Sequence, residues 1–467
     1  MTTKFIRYVI LVFTLITMTM LLANSVLFNF TVICMKAENR IQAATVANET
    51  QTRFYSSSEE GLLIAAPSVG LIVGTFPSIY LKDKLGLRLS FTAFGWISGL
   101  ATGIYPLVAS NLLISLVVRF AQGFGMAAAF VAIGVVPMDY GGDKLKGLFL
   151  AVLTCSYQIG PFITIPSSAM FCSSSIGWHG VYYMFGFVTI LAFTIFVILY
   201  RNSAHKAGFH CIPRVMPTIK NIDDGLPERF DLPTVQKPKK KKKAPAPYRA
   251  ALTSMSVWGI LFASIGDSLG FLVFYLYGPI YVNKVLQFEV GKTGVMAALP
   301  YVGGIGSKFL GGMLFHVSSC LKSSKGIMVS TLLYKSIMTI NFFLLTILAP
   351  SYPTAAETTI IITSIANGFH FMSLMNAAQA VAKQHTYIIS SAIAALESVV
   401  GLTLPPVVSY FAPHHSPDEW KVILYFVVGI LALSNVLFAA MTRVRPSKWT
   451  REHFTNEPED VKETVHI

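Results

Sequence analysis

Residues 257–282 (VWGILFASIGDSLGFLVFYLYGPIYV) form a run of 26 residues in which Asp267 is the one charge. A helix of that length crosses a bilayer. Similar runs recur at about 8–35, 60–80, 89–108, 112–136, 147–171, 178–200, 255–283, 293–316, 327–349, 357–382, 387–412 and 420–442. Glycine and proline are frequent inside them, as membrane helices tolerate. The period-two alternation of a β-barrel is absent. Composition agrees: 54% of residues are hydrophobic and 12% charged, roughly half the charge of a soluble domain. The expected fold class is an all-α membrane protein with twelve transmembrane helices. The first run is too long for a signal-peptide core and lacks a small-residue cleavage site, so it reads as a retained span.

The net charge of +14 does not point to nucleic acid in such a chain, because basic residues gather on the cytosolic side of membrane proteins. With the N-terminus inside, 27 Lys and Arg fall on inner segments and 6 on outer loops, while Arg119, Lys308 and Lys335 lie within spans. Both termini are therefore expected in the cytosol. Residues 201–250 divide the spans six and six. They contain KKKKKAPAP (239–247), read as a solvated loop with some attraction to anionic lipid. The expected units are 1–200, 201–250, 251–442 and a tail, 443–467. The first outer loop, 36–59, carries Asn48-Glu49-Thr50, a glycosylation acceptor on the outer side. The five cysteines are scattered without C-x-x-C spacing, which argues against a disulfide framework or a structural metal site. Nothing in the sequence calls for a cofactor.

Six plus six spans about a charged loop resemble the major facilitator architecture, two pseudo-symmetric bundles around a midplane site. YLKDKLGLR (80–88) resembles the loop motif of that superfamily, with Asp83, Lys84, Gly86 and Arg88 in its acid, base, glycine and base positions. Such a turn suits a conformational latch. RFAQGFG (119–125), SIGWHGVYYMFG (175–186), ALTSMSVWGIL (251–261), VLQFEVGKTGVMAALPY (285–301) and DEWKVILYF (418–426) are similar, in order, to stretches of the anion–cation symporter branch. That branch includes vesicular glutamate transporters, sialin and type I sodium–phosphate cotransporters. The resemblance implies a secondary transporter of anions. The departures are also informative. Ser25 stands near the usual arginine of span one, Met126 near the usual acid of span four, and only Lys146 remains of the basic ending of the fourth-to-fifth loop. Asp267 aligns with a position where vesicular glutamate transporters carry an arginine, so borrowed substrate specificity is excluded.

Charges inside the spans are the candidate site. Arg119 offers a guanidinium suited to carboxylate or phosphate, and the alternative is a structural partner for a helix end. Asp267 either pairs with Arg119, carries a proton or cation, or is a core acid near Ser264 and Ser268. Carboxyl groups removed from water take up protons readily. Glu397 and His370 are further coupling candidates, with rocking control and a satisfied core histidine as their alternatives. Lys308 reads as an inner-face charge, while Lys335 either snorkels or meets an acid and, on a span that is peripheral in facilitators, is not expected to bind substrate. Tyr157, Gln158, Tyr275 and Asn376 are candidate substrate contacts. Asn367, Tyr277 and Tyr281 offer polar groups nearby, although tyrosines near a helix end also form interfacial belts.

The expected function is alternating-access transport of a small organic or inorganic anion with a proton or sodium ion, in a plasma, vesicular or lysosomal membrane. The rival is a receptor-like or scaffold protein that keeps the fold without transport. An enzyme is disfavoured, since no His or Cys cluster, G-x-S-x-G or P-loop occurs.

Overall fold

The computed structural model describes residues 3–45, 55–201, 248–317 and 323–450. Asn48, most of the linker with its lysine run, and the tail beyond Thr450 lie outside the described residues. No strand occurs among those described. Span one lies in Thr3–Thr45, spans two and three in Ser57–Val108, span four in Leu112–Val136, and span five in Gly142–Thr154 and Ser156–Cys172. Span six is Trp178–Leu199 and span seven Met255–Lys284. Span eight is split into Val290–Met296 and Leu299–Val317. Spans nine to twelve are Ser324–Leu348, Pro353–Ala382, Thr386–Phe411 and Pro417–Met441. The expected boundaries hold within a few residues, except that the first helix continues to Thr45, into the segment expected as loop.

Local chemistry sets the helix ends. Ser56 with Glu59, and Ser416 with Glu419, form reciprocal capping boxes. Asn111 caps span four by accepting from the Ile114 amide at 3.2 Å. Gly86 divides spans two and three at φ 80°, a conformation that costs a residue with a Cβ. Of the four latch candidates, Arg88 reaches a helix end: its Nε donates to the Val197 carbonyl at 2.5 Å, in the last turn of span six, where carbonyls lack helical partners. Asp83 instead pairs with its neighbour Lys82 at 2.9 Å, and Lys84 lies over the Tyr80 ring.

The spans form two bundles of six. Span one packs on five and six, and spans two and three pack on four and six. In the second half span seven packs on twelve, nine on ten and twelve, and eight on ten. Glycine permits the close approach of spans two and four: a Cβ on Gly123 of span four would overlap the Pro67 carbonyl of span two. The outer surface carries exposed Phe76, Leu107, Leu113, Phe187 and Val436, the residue types that suit lipid.

At the face remote from Thr3 and Met441, termed distal, the bundles are clamped. Glu60 is buried between Lys36 of its own bundle and His415, whose Nε2 lies 3.6 Å away across the divide. Ser409 Oγ donates to the Ser57 carbonyl at 3.0 Å, and Gly61 leaves room for that side chain.

The cysteines correct the sequence reading. Cys34 and Cys172 are bonded, joining the distal ends of spans one and five. They are 138 residues apart, so no local spacing announces the pair; the topology brings them together. Removing the bond is expected to lower stability by about 2–4 kcal/mol. A thiol-reactive probe on denatured protein is expected to label Cys34 and Cys172 only after reduction, and labelling of both without reductant would contradict the pairing.

Candidate functional site

A cavity of about 270 Å³ lies between the bundles near the middle of the spans. The first bundle supplies Phe130, Tyr157 and Gln158. The second supplies Asp267, Phe271, Lys308, Asn367, Phe371 and Glu397. Tyr157 sits in the first turn of Ser156–Cys172, just past the break at Cys155, and packs edge-on against Phe130. Lys308 is the one cationic side chain lining the cavity among the described residues. Its Nζ donates to Gln158 Oε1 at 3.1 Å, bridging the bundles, and lies 5.4 Å from the Phe371 ring centre. The sequence reading of Lys308 as an inner-face charge is thus corrected. It was missed because position along a helix says nothing of which side faces a partner. A usable signal existed in the run Gly303, Gly304 and Gly306: a Cβ at Gly304 would stand 3.3 Å from Gln158 Cγ, so the glycine lets span five come close.

Asp267 is 8% exposed and opens on this cavity. Its Oδ1 accepts from Asn367 Nδ2 at 2.8 Å and meets His370 Nδ1 at 2.7 Å. Asn367 and His370 are three residues apart on span ten and so share a face. Pairing of Asp267 with Arg119 is excluded by this geometry. Behind Asp267, Lys335 is fully buried, and its Nζ donates to the Ala263 carbonyl at 2.6 Å, one turn earlier in span seven. Gly266 makes room for it, since a Cβ there would lie 2.8 Å from that nitrogen. Of the two readings of Lys335, snorkelling is excluded, and the lysine is lodged against the acid-bearing helix. Glu397 lines the central cavity and a smaller chamber of about 70 Å³ that also contains Ser25, Met126 and Tyr275.

Arg119 lines none of these cavities. It is fully buried in the first bundle, with Nε donating to the Leu63 carbonyl at 3.0 Å and the two terminal nitrogens to Gln122 Oε1 at 2.7 Å and the Ser25 carbonyl at 2.9 Å. Its guanidinium carbon lies 5.3 Å from the Phe28 ring centre. Its donors tie spans one, two and four together, which corrects its expected role as an anion anchor. Asn376 also leaves the site: its Nδ2 donates to the Met372 carbonyl of its own helix at 2.7 Å.

The Major Facilitator Superfamily profile matches residues 9–403. A probable small intestine urate exporter of Homo sapiens is 20% identical over 411 residues, covering 85% of this chain and 78% of that protein. Vesicular glutamate transporter 3 of Danio rerio is 22% identical, covering 82% of this chain and 63% of the relative. The crystal structure of a D-xylose-proton symporter superposes with a TM-score of 0.64 at 14% identity, covering 95% of this chain and 99% of that one.

Proposed function

Because the chain belongs to the major facilitator superfamily, as a divergent relative of its anion–cation symporter branch, we propose that it carries a small organic or inorganic anion together with protons. The observation that supports this is the content of the central cavity: one lysine, Lys308, facing two carboxyl groups, Asp267 and Glu397. If both acids are ionised the cavity is net negative, and charges in a poorly hydrated space interact strongly. An anion then enters on Lys308 only when protons have offset the acids. Gln158 and Asn367 supply donors that orient it, and Phe271 and Phe371 form apolar walls.

The units 1–200 and 251–442 rock about this site. With both termini cytosolic, as the Lys and Arg distribution favours, the distal clamp is the closed outer gate. The same orientation puts the Cys34–Cys172 bond in an oxidising compartment, where disulfides persist.

The test is uptake into proteoliposomes of urate, glutamate and inorganic phosphate, under imposed proton or sodium gradients. Saturable uptake of an anion, stimulated by a proton gradient and indifferent to sodium, is the expected result. Absence of saturable uptake under every gradient overturns transport in favour of a receptor-like role.

A further inference from the structure

Glu357 sits in the second turn of span ten, near the distal face, and is 3% exposed. Neither of its carboxyl oxygens has a hydrogen-bond partner among the described residues. It borders a chamber of about 30 Å³, separate from the central cavity, together with Tyr275, Tyr301, Ser364 and Asn367. That volume suits about one or two water molecules. Asn367 lines both this chamber and the central cavity, and it is the residue that donates to Asp267. Glu357 and Asn367 are separated by roughly 15 Å of helix, so the chamber follows span ten from the distal region toward the coupling acid.

The chamber indicates what this carboxyl can bind. No basic side chain lines it among the described residues. The titratable groups that face Glu357 are phenols, Tyr275 and Tyr281 of span seven and Tyr301 of span eight. A carboxylate deprived of water and countercharge is costly. Hard metal cations require several oxygen ligands, whereas much of this wall is Phe271, Phe274, Val282 and Ile360. A proton needs one oxygen.

We propose that Glu357 is a second proton-binding group, loaded from the distal side and housed outside the anion cavity. In loading, an O–H bond of a hydronium or buffer acid breaks and an O–H bond forms on the Glu357 carboxylate, which becomes the neutral acid. The site rests on the proton-coupled reading above, but its test does not depend on finding the transported anion.

The test uses a hydrophobic carbodiimide, which modifies protonated carboxyl groups in apolar surroundings, on the reconstituted wild-type protein, with adducts mapped by mass spectrometry. Labelling at Glu357 is expected to rise by about tenfold as the pH falls through its titration and to persist in Asp267→Asn. No adduct at Glu357, or an adduct indifferent to pH, overturns the proposal. In Glu357→Gln, infrared difference spectra between acid and neutral pH are expected to lose one carboxyl band. Retention of the full wild-type set of bands also overturns it. Both readouts are made on the protein itself, so a failure here is distinct from a failure to detect uptake.

Discussion

Replacing Lys308 with methionine is expected to reduce anion uptake by about tenfold to a hundredfold, with thermal stability close to wild type. A charge-assisted hydrogen bond contributes about 1.5–3 kcal/mol, and each 1.4 kcal/mol is about tenfold in affinity. Lys308 is partly exposed to the cavity, and it donates to Gln158, itself a cavity residue. Methionine keeps the length of the side chain and its contact with Phe371 while removing the charge. Arg119→Met is expected to do the reverse. It would strip donors from the Leu63 and Ser25 carbonyls and from Gln122 in a fully buried setting, and unpaired buried groups cost about 1–3 kcal/mol each. Loss of folded protein, seen as a large drop in melting temperature or in monodisperse yield, is the expected result. Uptake corrected for folded protein separates the two residues. Wild-type uptake in Lys308→Met would remove the lysine from the site, and a stable but inactive Arg119→Met would restore the arginine as the anion anchor.

The contrast shows which kinds of information a membrane sequence carries. Spans follow from length and hydropathy because the bilayer imposes both, and the turn at Gly86 follows from a residue type that tolerates positive φ. Asp267 stands out because an acid in lipid needs a reason. Its partners were also within reach of the sequence, since Asn367 and His370 share a face of span ten at a spacing of three. Which basic residue faces the cavity was not legible. Arg119 and Lys308 are both isolated cations in apolar runs, and their roles are set by the packing of neighbouring backbones. Span four comes against span two at Gly123 and Pro67, where Arg119 is enclosed with the carbonyl of Leu63. Span eight comes against span five at Gly304, where Lys308 is left beside open volume. Cys34 and Cys172 show the same limit, since their meeting depends on the order in which helices surround the bundle.

Asp267→Asn is expected to abolish accumulation driven by a proton gradient, by about a hundredfold or more, while leaving exchange of anion for anion across the membrane. Asparagine preserves the local hydrogen bonding: its carbonyl oxygen still accepts from Asn367 Nδ2 and from His370 Nδ1–H in the corresponding tautomer. It cannot release a proton, so it imitates one protonation state permanently. An exchanger needs only the anion-loaded protein to change face, whereas net accumulation requires the acid to discharge. The same substitution removes the negative charge beside Lys335, whose ammonium group is buried one turn away against the Ala263 carbonyl. Loss of stability from a buried cation without its neighbour is the competing contribution. A double-mutant cycle separates the two contributions. If stability is the cause, Asp267→Asn with Lys335→Met recovers both melting temperature and driven uptake. If proton release is the cause, the double variant recovers stability by about 1–2 kcal/mol and remains uncoupled. Wild-type pH dependence of driven uptake in Asp267→Asn would move the coupling role to another acid, and Glu397, which lines the same cavity, is the next residue to replace.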